Sequence, residues 1–96
     1  MTVYLIAQIN IHDPERYAQY GKGFMDIFNQ YQGKMLAVDE DHQVLEGDWD
    51  YTRTVLLEFP SEEEARAWYD SEEYQAIAQH RFASSDANIT LIKGLG

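Results

Sequence analysis

The side chains of this sequence best able to do chemistry are Arg53, Arg81, His80 and the aromatic group Trp49, Trp68, Tyr69 and Tyr74. Arg53 stands between Thr52 and Thr54 in a β-forming run. A strand arginine beside an apolar face can hold a carboxylate through a fork of two hydrogen bonds. It can equally pair with Glu46 or Glu58 of its own chain. Trp68, Tyr69 and Tyr74 cluster around Ser71, and with Trp49 they could line a pocket for a flat ligand. The competing reading is core packing, because rings fill cores while their hydroxyls find backbone partners. His80 precedes Arg81 near a helix end, where a histidine serves either as a base or as a complement to the negative end of the helix dipole. Tyr69 and His80 are the only candidates for catalysis, and the sequence shows no site around either.

Other chemistry finds no residues. There is no cysteine, hence no disulfide, thiolate ligand or cysteine nucleophile. No two histidines fall at i, i+4, and Asp39-Glu40-Asp41 lacks the glycine and ligand period of a calcium loop. Haem would want a well-placed axial histidine, so neither metal nor cofactor is expected. Gly21-Lys22-Gly23 lies within a helical pattern and follows no strand, which excludes a phosphate cradle. Seventeen acidic residues against seven basic ones give a net charge of -10. That field repels phosphate backbones and anionic lipid, so nucleic acid and membrane are not expected partners. No apolar run approaches the roughly 20 residues that span a bilayer. Met1 to Ile6 reads as a first strand and not as a signal peptide, which favours a cytoplasmic location.

The elements that must position these residues follow from periodicity. Residues 1–96 suffice for one domain with one core. Val3 to Ile11 alternates as a strand. Asp13-Pro14 opens a helix whose apolar face carries Tyr17, Tyr20, Phe24, Ile27, Phe28 and Tyr31 and which Gly33 should stop. Lys34 to Val38 reads as a second strand, Val44 to Gly47 as a further strand or hairpin arm, and Thr52 to Phe59 as a third strand ended by Pro60. Ser61-Glu62-Glu63-Glu64 is a capping box for a helix with Ala65, Trp68 and Tyr69. Ser71 caps a second segment with Tyr74, Ile77, Ala78 and Arg81. Ser84-Ser85-Asp86 reads as a loop before a last strand from Ala87 to Leu95.

The order β-α-β-β-α-β predicts an α+β, ferredoxin-like fold with a four-stranded antiparallel sheet and helices on one face. Two helices cover only one side of such a sheet. Yet Ile6 opposes Leu5, Leu56 opposes Val55 and Leu57, and Ile92 opposes Leu91, so both faces carry apolar residues. The simplest cover is the same face of a second copy. A homodimer built this way is an α/β barrel.

Glu46-Gly47-x-Trp49, Arg53, Phe59-Pro60-Ser61, Ala65, Trp68-Tyr69-x-Ser71-x-x-Tyr74-x-x-Ile77 and Arg81 closely resemble a family of small bacterial proteins, the domain of unknown function 1330 family. The likeness runs from the first strand to Lys93-Gly94. It implies membership of the dimeric α/β-barrel superfamily, whose members include cofactor-independent monooxygenases, muconolactone-isomerase-like enzymes and haem-dependent peroxidases. It implies no established activity. The sequence departs from the family pattern at Lys34 to Glu40, which lacks the usual basic residue and paired glycines, and at Tyr51, where a proline often stands.

Three functions are consistent with this. One is a dimer binding a small organic ligand, anionic or aromatic, between sheet and helices. Another is a cofactor-independent monooxygenase- or isomerase-like enzyme, and the last is an interaction dimer without a pocket. A site is expected where the broken second helix crosses the sheet, near Trp49, Arg53, Trp68, Tyr69, Tyr74 and Arg81. Two of seven cations gathered there would make a local positive spot in an acidic chain.

Overall fold

The computed structural model describes residues 1–95. Along the chain run β1 (Val3–Ile11), α1 (Pro14–Phe28), β2 (Lys34–Asp39), β3 (Arg53–Phe59), α2 (Glu62–Tyr69), α3 (Glu72–Ser84) and β4 (Ser85–Lys93). The strands form one four-stranded antiparallel sheet in the order β2-β3-β1-β4. This is the α+β, ferredoxin-like arrangement that the element order predicts.

Strand alternation decides which side chains meet the helices. Val3, Leu5, Ala7 and Ile9 of β1 are buried and pair with Phe59, Leu57, Val55 and Arg53 on β3. On β4 the partners of Leu5, Ala7 and Ile9 are Leu91, Ile89 and Ala87. Arg53 therefore shares the inward face with the core. The opposite face presents Tyr4, Ile6, Leu56 and Ile92.

Each helix begins at a side-chain cap. Asp13 Oδ1 accepts the Arg16 amide at 3.2 Å and Ser61 Oγ accepts the Glu64 amide at 3.2 Å. Ser71 does two things: its Oγ accepts the Tyr74 amide at 3.1 Å and donates to the Trp68 carbonyl at 2.8 Å. The hydroxyl thus seals the end of α2 to the start of α3. It brings Trp68 and Tyr74 together, their ring centroids 4.3 Å apart. Trp68 also packs on Phe28 and Phe59, each at 5.6 Å, and is the centre of the aromatic core.

The structure corrects the sequence reading at four places. Helix α1 stops at Phe28, ahead of Gly33: Gln30 and Tyr31 donate to the carbonyls of Ile27 and Phe28 in tight turns, so Tyr31 follows the helix instead of belonging to it. Gly33 serves close approach, since a Cβ there would lie 2.6 Å from the Phe28 ring and 2.7 Å from Phe59. Val44 to Gly47 forms no strand. The chain leaves the sheet at Asp39, whose carboxylate accepts the Asp41 amide at 2.8 Å, and Gly47 turns it back with φ of +81°. No loop separates α3 from β4, because Ser84 and Ser85 donate their hydroxyls to the carbonyls of His80 and Arg81 at 2.6 and 2.7 Å and close the helix directly into the strand. The last strand accordingly starts at Ser85 and ends at Lys93.

The Gly33 contact yields a test. Gly33→Ala must push the Phe28 and Phe59 rings apart, an overpacking that costs about 1–3 kcal/mol. Urea denaturation should show that loss, with an unchanged slope against urea concentration.

Candidate functional site

Helix α1 packs closely on α3 and reaches the sheet through Phe28, whose ring meets that of Phe59 on β3 at 5.8 Å. The hydrogen bond between Tyr20 Oη on α1 and Tyr74 Oη on α3, 2.8 Å long, ties the two helices together. Between α1 and the sheet remains a cavity of about 220 Å³. A void of roughly 150 Å³ lined by apolar groups accommodates benzene, so this one suits a single substituted ring or a short chain.

The cavity wall is apolar over most of its extent, with Leu5, Leu57, Val55, Phe24 and Trp68 among its residues. Against this wall stand Arg53, Arg81 and the phenols of Tyr17, Tyr20 and Tyr74. Arg81 is only 4% exposed. Its guanidinium lies 5.7 Å from the Tyr20 ring and 4.9 Å from that of Phe82. Among the described residues it has no carboxylate partner, and its Nε and Nη2 find no acceptor in the protein. Arg53 lies 5.8 Å over the Tyr17 ring and meets the Glu40 carboxylate at a loose 3.7 Å, while its buried Nε is also without an acceptor. The indole Nε1 of Trp68 is a fourth such donor. Neither arginine pairs with Glu46 or Glu58.

Burial sets the protonation of this group. It raises the Tyr17 phenol and lifts that of Tyr20 well above its ordinary value, with the neighbouring Tyr74 adding to the shift. Burial also raises Tyr74, against the opposing pull of Arg81. For Arg81 burial works against the charge, but the phenols of Tyr74 and Tyr20 outweigh it and its pKa rises. At neutral pH the cavity therefore holds neutral phenols and cationic guanidinium. Its position in the last turn of α3 favours that cation through the helix dipole.

Of the residues singled out in the sequence, the cavity gathers Arg53, Trp68, Tyr74 and Arg81. Tyr69 packs against Tyr74 at 5.5 Å and lines an adjoining groove along β4 that shares Arg81. Trp49 stands apart, tilted against His42 and edge-on to Tyr51 in the 40–52 segment. His80 also lies outside: its Nδ1 accepts a hydrogen bond from Arg16 Nε at 2.9 Å on the side where α1 meets α3. Tyr17 and Tyr20 are the residues that sequence reasoning missed as cavity residues. Their helical spacing marked them as inward-facing, but not that their hydroxyls meet a cavity.

The raised phenols make alkaline stability a readout of this cluster. A folded-state pKa above the unfolded value of about 10 means that the stabilisation is complete below that pH and is lost as pH rises through the folded value. Stability of the wild type should fall above pH ~10, and Tyr20→Phe should flatten that fall. Urea denaturation along a pH series checks it.

The fold is shared with solved structures at low sequence identity. A Rhodopseudomonas palustris protein of unknown function, RPA0582, is 19% identical with a TM-score of 0.84, and the match covers 99% of this chain and 83% of that one. SnoaB from Streptomyces nogalater, described as a cofactor-independent oxygenase, is 11% identical with a TM-score of 0.72 over 99% of this chain and 94% of its own. A dimeric ferredoxin-like protein of unknown function from Thermobifida fusca YX is 18% identical with a TM-score of 0.72, over 98% and 92% of the two chains. No functionally curated protein matches the sequence. The family model described as "Domain of unknown function (DUF1330)" matches residues 2–95, and the chain belongs to that family.

Proposed function

We propose that this protein binds a small organic anion with an apolar body, such as a monocyclic aromatic carboxylate, in the cavity between α1 and the sheet. The observation that carries the reading is Arg81. A buried cation without a counter-ion costs several kcal/mol, and among the described residues Arg81 has none. An anionic group in the cavity would satisfy its free Nε and Nη2, with the Arg53 Nε in the same lining and, as a further donor, whichever of the Tyr20 and Tyr74 phenols does not donate to the other. The apolar wall supplies the rest of the binding energy at about 25 cal/mol per Å².

The same lining argues for binding ahead of catalysis. No carboxylate or imidazole stands among its residues, and its phenols are neutral near pH 7. Proton abstraction from a ligand has no base there. His80 and Tyr69, the two catalytic candidates, lie outside it. An enzyme resembling the cofactor-independent oxygenases would have to receive its substrate already anionic, and would contribute orientation, charge stabilisation and exclusion of water.

Substitution at Arg81 separates ligand site from core. Replacing even a buried ion pair with apolar side chains of similar volume is often neutral or stabilising by about 1–4 kcal/mol, and an unpaired buried cation has no Coulombic gain to lose. Arg81→Met should therefore keep or raise the melting temperature of the free protein while abolishing the shift produced by benzoate, salicylate or hexanoate. Arg53→Ala should weaken binding by about 1.5–3 kcal/mol, the loss of a charged hydrogen bond. If no carboxylate stabilises the wild type, or if all stabilise Arg81→Met equally, the anion reading fails.

The outer sheet face supports a second element of the reading, a homodimer. Tyr4 neighbours Ile92 across β1 and β4, and Ile6 neighbours Leu56 across β1 and β3, so the apolar residues form one patch. Solved structures of the same fold are described as dimeric. With -10 charges per chain, two copies repel, and salt should tighten their association by screening that repulsion. Light scattering should give twice the 11.2 kDa chain mass, shifting to the monomer in Ile6→Lys. A wild-type monomer at micromolar concentration, or dissociation promoted by salt, overturns the apolar interface.

A further inference from the structure

Helix α1 contains two glycines whose circumstances differ. A Cβ on Gly23 would lie 3.2 Å from Ile77 Cγ2, so that glycine lets α1 and α3 cross closely. A Cβ on Gly21 would meet nothing within 4 Å. Glycine in a helix interior is less stable than alanine, because the unfolded chain gains freedom. Close packing explains Gly23 and leaves Gly21 unexplained.

Gly21 lines the cavity, and so do Met25 one turn further along α1 and Met35 across the gap on β2. Gly21 is exposed, while Met25 and Met35 are 43% and 36% exposed. The cavity thus reaches the surface between α1 and β2. Methionine side chains are unbranched and flexible, and can move aside without straining the backbone. At the cationic end, Arg81 is buried. The cavity is accordingly polarised, with the buried Arg81 in its wall and an apolar, exposed lip at Met25 and Met35.

We propose that the gap bounded by Gly21, Met25 and Met35 is the route by which the ligand enters, anionic group first, and that Gly21 keeps that route open. This rests on the anion-binding reading and adds an orientation to it: the carboxylate lies at Arg81 and the apolar end points toward α1 and β2. It also assigns specificity. The ligand class is a monoanion with its charge at one end, whose bulk is limited by what passes residue 21.

Stopped-flow binding of salicylate, whose own fluorescence reports its environment, tests this on the full-length wild type, Gly21→Ala and Gly21→Trp. Gly21→Ala should melt at a higher temperature, since its Cβ meets no atom, yet bind salicylate more slowly than the wild type and faster than Gly21→Trp, since the methyl group narrows the gap. Gly21→Trp should slow association and dissociation together, each by at least about tenfold, because entry then requires a conformational change. Its dissociation constant should change less than either rate. A melting curve confirms that Gly21→Trp is folded, and hexanoate, slimmer than a ring, should be slowed less as measured by competition. Unchanged salicylate rates in Gly21→Trp overturn the route while leaving the anion site standing. Weaker binding through faster dissociation alone makes residue 21 part of the wall and also overturns the route. Failure of the wild type to bind salicylate or hexanoate removes the anion reading and this inference with it.

Discussion

The hydrogen bond between Tyr20 and Tyr74 holds the arrangement that everything else in this molecule uses. It joins α1 to α3, 54 positions apart in sequence, inside an aromatic cluster where its cost and benefit are amplified by low polarity. The cavity lies between α1 and the sheet, and both tyrosines line it. Ser71 makes the bond possible: by breaking the second helical stretch it turns Tyr74 back against Trp68 and aims its hydroxyl at α1.

The charge distribution then makes sense of a chain so acidic. Its carboxylates lie outside, where water and salt screen them. The seven cations are few, yet two of them, Arg53 and Arg81, converge on one apolar cavity. Arg81 is held there by the end of α3 and by the phenols around it rather than by an ion pair. A guanidinium so placed has hydrogen-bonding capacity that its own chain does not use. That is the physical basis for reading the cavity as a site and not as a packing defect.

The two faces of the sheet divide the work. The inner face is committed to the helices and the cavity. The outer face carries Tyr4, Ile6, Leu56 and Ile92 amid polar neighbours such as Gln8 and Thr54, a mixture suited to an interface with a polar rim. None of Tyr4, Ile6, Leu56 and Ile92 lines the cavity.

The sequence by itself determined the elements and their order. Period-two alternation marked β1 and β3, Asp13, Ser61 and Ser71 marked the helix starts, and the resemblance carried by Trp68, Tyr69, Ser71 and Tyr74 pointed to the family. These signals are local: a cap or an alternating strand is decided by residues a few positions apart. It also put Arg53 and Arg81 at one site, through an argument from charge and the broken helix. What only the tertiary structure decided was where inward-facing side chains meet an atom and where they meet space. Tyr17 and Tyr20 looked like ordinary core residues, Trp49 was counted with Arg81 as a lining residue, His80 stood as a candidate base, and Gly33 looked like a helix stop. Periodicity reports which way a side chain points, but not what stands opposite it. The contact of Gly33 with Phe28 and Phe59, the bond from Arg16 to His80, and the unpaired nitrogens of Arg81 each depend on chain segments brought together only when the sheet closes against its helices.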